Sequence, residues 1–148
     1  MEPVKKTLSP RLTAIVAALP LRPGMRVLEI GCGPGAAARE IAKLIGEGHI
    51  LAIDRSAKAI GQAISASPDE IHSGRLSFRQ MAAEDLRLEA DEEPFDIAFA
   101  VRVGALDGRH PSLAQLALPR IAKALTKSGR LFIDGGDPLL EISLDAYR

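Results

Sequence analysis

Val27-Leu28-Glu29-Ile30-Gly31-Cys32-Gly33-Pro34-Gly35, running into Ala36-Ala37-Ala38-Arg39-Glu40-Ile41-Ala42-Lys43-Leu44-Ile45, is the stretch that decides the fold. Val27 to Ile30 is apolar except for Glu29, as expected of a short buried strand. Three glycines follow at alternate positions, then a run of good helix formers that stops at Gly46, a residue suited to a left-handed C-cap. Strand, glycine-rich turn and helix in that order let a ligand reach bare backbone at the strand's carboxyl end.

Outward from this stretch the alternation repeats. Before it, Ser9 caps a helix with Pro10 at its first position and Leu12, Ile15, Val16 and Leu19 on one face; Arg22-Pro23-Gly24 then turns into a strand from Met25. After it, Ile50 to Asp54 is a continuous apolar run ending in an acid, which fits a strand covered on both faces. Ser56 caps a short helix to Ser65, broken at Ser67-Pro68. Leu76 to Gln80 alternates as a third strand, residues 82–93 are irregular and acidic, and Phe95 to Val103 is a fourth strand that carries Arg102. Pro111 to Lys127 is a helix in which Pro119 predicts a kink or a late start. Ser128-Gly129 ends it, and Arg130 to Asp134 is a fifth strand. Five alternations predict an α/β fold with a mainly parallel sheet in a single domain over residues 1–148, the helical segment 1–24 packing on it. Ligands of such sheets bind at the carboxyl ends of the strands, where Glu29–Gly35, Asp54, Met81–Asp85 and Arg102–Asp107 all fall.

Composition narrows the partners. Lys plus Arg and Asp plus Glu are equal at 19 each, so the basic footprint of a nucleic-acid binder is missing and no nucleic acid is expected. One cysteine excludes an internal disulfide framework and a zinc cluster, and no metal is expected. No apolar run approaches the roughly 18–20 residues of a membrane span. Lys5 and Lys6 before the apolar run from Leu12 imitate a secretory signal. Pro10, Arg11 and the lack of a small-residue cleavage site favour a packing helix, hence a cytoplasmic protein with a reduced cysteine.

Two ligands compete for the glycine turn. Gly31-x-Gly33-x-x-Ala36 with Asp54 downstream meets the relaxed dinucleotide fingerprint. Glu29 opposes that reading: a carboxylate beside a pyrophosphate is repulsive, and the loop offers no Lys or Arg. A ligand with a sulfonium and an ammonium group suits it. At these residues the chain resembles the class I S-adenosylmethionine-dependent methyltransferases. VLEIGCGPG looks like their first motif, and Asp54 stands where they hold the ribose hydroxyls. Ala83-Glu84-Asp85-Leu86 resembles their adenine-contacting segment, FDIAFAVRV their fourth strand, and LTKSGRLFID the end of their fifth helix followed by their fifth strand. The resemblance covers residues 10–137. It implies a Rossmann-like three-layer sandwich, methyl transfer, and S-adenosyl-L-methionine as cofactor. It departs at Ala82, where the family often has an adenine-binding Asp. It departs also after strand five, where only residues 135–148 follow. A C-terminally curtailed sheet of five to six strands is expected, with room for a last strand at Glu141 to Leu144 and its exposed edge available to a second subunit in a homodimer.

The cofactor site expected from these readings comprises Glu29 at the amino end, backbone of Gly31, Cys32, Gly33 and Gly35, Asp54 on the ribose, and Arg55, Ala83 and Glu84 near the adenine. Arg102 anchors a cofactor carboxylate or an anionic substrate, or simply snorkels to solvent. Each has a plainer alternative: Glu29 and Asp54 as capping acids, the glycines as turn formers, Arg55 as a solvated side chain, Cys32 as a small buried filler. Methyl transfer needs in-line placement and, for an acceptor that carries a proton, a base; His110 and Asp107 after strand four and Asp134 or Asp137 after strand five are the candidates. Phe78, Phe95, Phe99 and Phe132 all fall in strands, which leaves no aromatic cage. A small-molecule acceptor follows by elimination. A cofactor-binding protein without transferase activity and a small NAD-linked oxidoreductase are the alternatives.

Overall fold

The strands of the computed structural model line up in the order β3-β2-β1-β4-β5-β6. They are β1 (Arg26–Ile30), β2 (His49–Asp54), β3 (Leu76–Gln80), β4 (Phe95–Ala100), β5 (Leu125–Ile133) and β6 (Leu140–Ile142). The first five are mutually parallel and β6 runs antiparallel to β5. The structure describes residues 8–148; Lys5 and Lys6 lie outside the described residues. The helices are α1 (Pro10–Ala18), α2 (Ala36–Leu44), α3 (Ala57–Ser65), α4 (Pro68–His72) and α5 (Pro111–Ala124), with single 3-10 turns at Ala83–Asp85 and Asp145–Tyr147.

Side chains alternate across the sheet, and each face has its own core. Val27, Ile50 and Phe99 pack with Val16 of α1, Ile41 of α2 and Ile60 of α3. Leu28, Ile30 and Leu131 pack on the other face with Ala117 and Ile121 of α5. The result is the expected three-layer sandwich. The chain builds β1, β2 and β3 in one direction and then returns to lay β4 on the free side of β1, so the strand order reverses between β1 and β4. The carboxyl ends of those two strands open the crevice that such a reversal creates.

Several boundaries differ from the sequence expectation. β4 ends at Ala100 rather than Val103, because Arg102 takes a left-handed conformation (φ 57°) that no strand accommodates. Arg102 therefore lies on a turn and not on the strand. α5 runs unbroken from Pro111 through Pro119 and stops at Ala124, short of Lys127. The carbonyl that Pro119 cannot serve belongs to Gln115, which is exposed and has water available. β5 begins at Leu125 instead of Arg130, with a register shift opposite Phe95–Ile97. Ser67-Pro68 does not only end a helix; Pro68 starts the short α4. The last strand covers Leu140–Ile142 rather than Glu141–Leu144.

Candidate functional site

Glu29 is the anomaly in the sheet. Its Cα partners are Ala52 and Phe99, both core residues of the face covered by α1, α2 and α3. The side chain is 4% exposed, and its Oε1 is buried without a hydrogen-bond partner. Burial, assisted by the nearby Asp54 carboxylate and only partly opposed by Arg39, pushes its pKa up to about 8. Arg39 is turned elsewhere: its guanidinium donates to the Pro34 carbonyl (2.8 Å) and the Ser67 hydroxyl (3.1 Å). A carboxyl group held in that state has an unmet need for a cation or a donor.

The glycine turn above it has spent its own donors. The Gly31 and Cys32 amides both donate to the Ile53 carbonyl (2.8 and 3.0 Å), and the Gly35 amide donates to the Cys32 carbonyl (3.1 Å). The Gly33 amide donates to Asp54 Oδ2 (2.8 Å), while Asp54 Oδ1 accepts from the Ser56 amide (2.9 Å). A phosphate cradle needs those amides free; here three of the four stitch the turn to β2 and that of Gly35 closes the turn on itself. Gly31 (φ 75°) is fixed by space as well as by dihedral, since a Cβ there would meet Val103 Cγ2 at 2.5 Å. Cys32 is buried, and its thiol is pushed up by that burial and by the Glu29 and Asp54 carboxylates, so it is no nucleophile.

Beside the turn lies a cleft of about 320 Å³. One wall is formed by the ends of β2 and β3: Asp54, Arg55, Met81, Ala82, Ala83 and Glu84. The floor is Ile30 and Gly31. The opposite wall is the segment after β4, with Arg102, Val103, Gly104, Arg109 and His110, backed by Ala105 and Leu113. The volume is that of a small-ligand site. Of the residues singled out from sequence, Gly31, Asp54, Arg55, Ala83, Glu84 and Arg102 meet here, and so does His110. Glu29, Cys32, Gly33 and Gly35 are not in the lining; Glu29 and Cys32 lie buried next to it in the chain, and Gly35 caps α2 against Phe78.

The segment after β4 closes on itself. The Val103 carbonyl accepts from the Leu106 and Asp107 amides (2.9 and 3.0 Å), and the Gly104 carbonyl from the His110 amide (3.1 Å). The His110 ring rests on Gly104, where a Cβ would reach its Cδ2 at 2.6 Å. Asp107 lies outside the cleft lining and is ion-paired to Arg109 at 2.8 Å. That hydrogen-bonded guanidinium holds the Asp107 carboxyl below its usual range, which makes it a poor proton acceptor. Asp134 is likewise engaged: it pairs with Arg11 of α1 and accepts from the Arg102 amide (3.2 Å). Sequence reasoning missed Arg109 and Leu113 as cleft residues. The Gly108-Arg109-His110-Pro111 sequence at the loop-to-helix junction was the available signal.

Comparison with known proteins follows the same lines. A family described as a methyltransferase domain matches residues 21–144. A trans-aconitate 2-methyltransferase of Methylobacterium nodulans is 31% identical over 129 residues, which cover 87% of this chain and 45% of the relative. The crystal structure of the YcgJ protein of Bacillus subtilis superposes with a TM-score of 0.68 over 83% of this chain and 49% of its own, at 24% identity, and shares the fold. The structure of SpnF, named a 4+2 cyclase, superposes with a TM-score of 0.65 at 28% identity, over 83% of this chain and 43% of its own. The chain spans less than half the length of the curated relatives it matches.

Proposed function

The chain belongs to the methyltransferase-domain family, with the class I fold of S-adenosylmethionine-dependent enzymes, and from that premise we propose that it transfers a methyl group from S-adenosyl-L-methionine to a small-molecule acceptor. The observation that carries the reading is Glu29: a buried, unpartnered carboxyl oxygen beneath a glycine turn whose amides are already used. That arrangement suits an ammonium or sulfonium ligand and opposes a pyrophosphate. When bound, S-adenosylmethionine supplies a methyl group already activated by the charge on its sulfur.

The chain's own residues then bind, orient and handle a proton. Glu29 holds its proton in the ligand-free chain at neutral pH, loses it more readily with the cofactor's cationic end beside it, and then pairs with that end as a carboxylate. Asp54 keeps lone pairs beyond the two amides it accepts and takes the ribose hydroxyls. Ala82 and Ala83 give a flat apolar surface for the adenine, with Glu84 and Arg55 at its rim. Val103, Ala105 and Leu113 exclude water on the acceptor side. His110, braced on Gly104 and lining the cleft, receives a proton on an imidazole nitrogen when the acceptor carries one; Asp107, held by Arg109, does not serve. The small-molecule acceptor agrees with the relatives' names, among them trans-aconitate and ubiquinone-biosynthesis methyltransferases. A cytoplasmic setting is part of the same reading and rests on the single, buried Cys32.

Calorimetric titration with S-adenosylmethionine, S-adenosylhomocysteine and NAD tests it. Binding of the two adenosyl ligands and not NAD is expected, with Glu29→Gln weakening the adenosyl ligands by about 1–3 kcal/mol. Binding of NAD alone sinks the reading. The cyclase name of one neighbour motivates a second reading, a cofactor site used without methyl transfer. Methyl-labelled donor incubated with a panel of small acids, phenols and amines distinguishes them: label transfer supports the first, tight binding without transfer the second.

A further inference from the structure

The two walls of the cleft differ in charge. The β2–β3 wall carries the acids Asp54 and Glu84 with Arg55, while the wall after β4 carries Arg102, Arg109 and His110 and no acid. Asp107, the nearest carboxylate on that segment, lies outside the lining and takes only the Nε edge of Arg109 (2.8 and 3.0 Å). Arg109 Nη2 donates to the Arg102 carbonyl (3.0 Å), so the two arginines are tied together.

Arg102 is the one non-glycine residue with positive φ among the described residues. Its backbone is pinned from both sides, by Asp134 at its amide and Arg109 at its carbonyl. Its guanidinium is exposed and has no hydrogen-bond or ion-pair partner among the described residues. An arginine is an odd occupant of such a turn; glycine or asparagine fits better. A strained position filled by a long, unpaired cation at the mouth of a cleft points to a ligand anion.

Resting on the methyltransferase reading, the geometry points to a carboxylate site on the β4 wall, formed by Arg102 and Arg109 with His110 beside them, so that the acceptor is a carboxylic acid. The planar fork of arginine matches a carboxylate in two parallel bonds. Asp54 and Glu84 across the cleft disfavour two charges concentrated on one group, as on a phosphate dianion, and tolerate carboxylates that each carry one charge and are set apart on a carbon chain. A carboxylate reaches this wall from either of two sources, the acceptor or the cofactor's own amino-acid end, and the experiment separates them.

Succinate, tricarballylate, succinamide and inorganic phosphate are titrated calorimetrically into the wild-type chain, both free and saturated with S-adenosylhomocysteine. The same is done with Arg102→Asn, which keeps the left-handed turn, and with Arg109→Gln. If the acceptor supplies the anion, the acids bind the saturated chain, succinamide does not, and each variant weakens the acids about 10–100-fold with S-adenosylhomocysteine affinity unchanged. If the cofactor supplies it, the variants weaken S-adenosylhomocysteine by a similar factor and the acids compete only with the free chain. That result keeps the carboxylate site and overturns the acid acceptor. Phosphate binding as well as succinate, or affinities for every ligand untouched by both variants, overturns the site. Failure of S-adenosylhomocysteine to bind the wild type is a separate result against the cofactor reading, and the acids on the free chain then still decide the anion site.

Discussion

Glu29 costs the ligand-free protein stability, because its buried carboxyl oxygen has no partner. An unfolded chain releases the Glu29 proton near its ordinary value of 4.5, whereas the folded chain holds it to about 8. Between those values the folded state carries the extra proton, so stability falls as pH rises, by up to about 1.4 kcal/mol per pH unit from this group. Below 4.5 and above 8 its contribution is flat. Glu29→Gln removes the titration and leaves a neutral group of the same shape. Urea unfolding of the ligand-free protein between pH 5 and 8.5 is expected to show the variant gaining on the wild type as pH rises, by on the order of 4 kcal/mol at the alkaline end. Parallel curves for the two proteins refute the buried, proton-holding state. The gain in stability and the loss of adenosyl-ligand affinity then come from one substitution, the trade expected of a site residue.

At the scale of elements, Asp54 joins three pieces that sequence shows only separately. One carboxylate accepts from Gly33 in the glycine turn and from Ser56 at the start of α3, at the end of β2. Asp54→Ala leaves both amides without that acceptor and is expected to cost about 1–3 kcal/mol. Hydrogen exchange should show the amides of Gly33 and Ser56 losing protection while those inside β1 keep theirs; unchanged protection at Gly33 argues that the staple is absent in solution. Much of this architecture was legible in advance. Strands β1 and β2, helix α2 and the grouping of Gly31, Asp54, Ala83 and Glu84 follow from local apolar runs and from the rule that ligands sit at strand ends. What was not legible depends on contacts distant in sequence. Arg102 looks like a strand residue until Asp134 and Arg109 hold its backbone in a turn. Residues 126–129 read as a helix end, yet they form part of β5. There Arg148 donates to the carbonyls of Thr126 (3.2 Å), Lys127 and Gly129, from about 20 positions away. Arg109 leaves no mark in the sequence pattern, because exposed charge in a loop has no periodicity to read.

For the molecule as a whole, the question is what the sheet does with its two open edges. The homodimer expected from sequence uses the exposed edge of a sheet of five to six strands, an edge that lies at β5 if there are five. That edge is occupied by β6, which pairs antiparallel through Leu131–Ile142, Phe132–Glu141 and Ile133–Leu140. The new edge is three residues long. Its central Glu141 is in a bidentate ion pair with Arg130 (2.7 and 3.2 Å), so a second chain pairing there meets charge where it needs an apolar contact. The other edge, β3, presents Arg79 bound to Glu92 (2.9 and 3.1 Å) from the 86–94 connection. Both edges carry the short length or the charges that discourage strand addition. Leu140 remains 46% exposed, a single apolar side chain where a stable interface needs about 800 Å² on each partner. Light scattering behind size exclusion, from 1 to about 100 µM on the scale where weak dimers show, should return the single-chain mass. A mass that doubles with concentration, and reverts on Leu140→Lys, restores the dimer and places it on β6. A monomer in turn requires the cleft at β1 and β4 to be complete within one chain. The walls that line it come from the ends of β2 and β3, the segment after β4 and α5 of the same molecule.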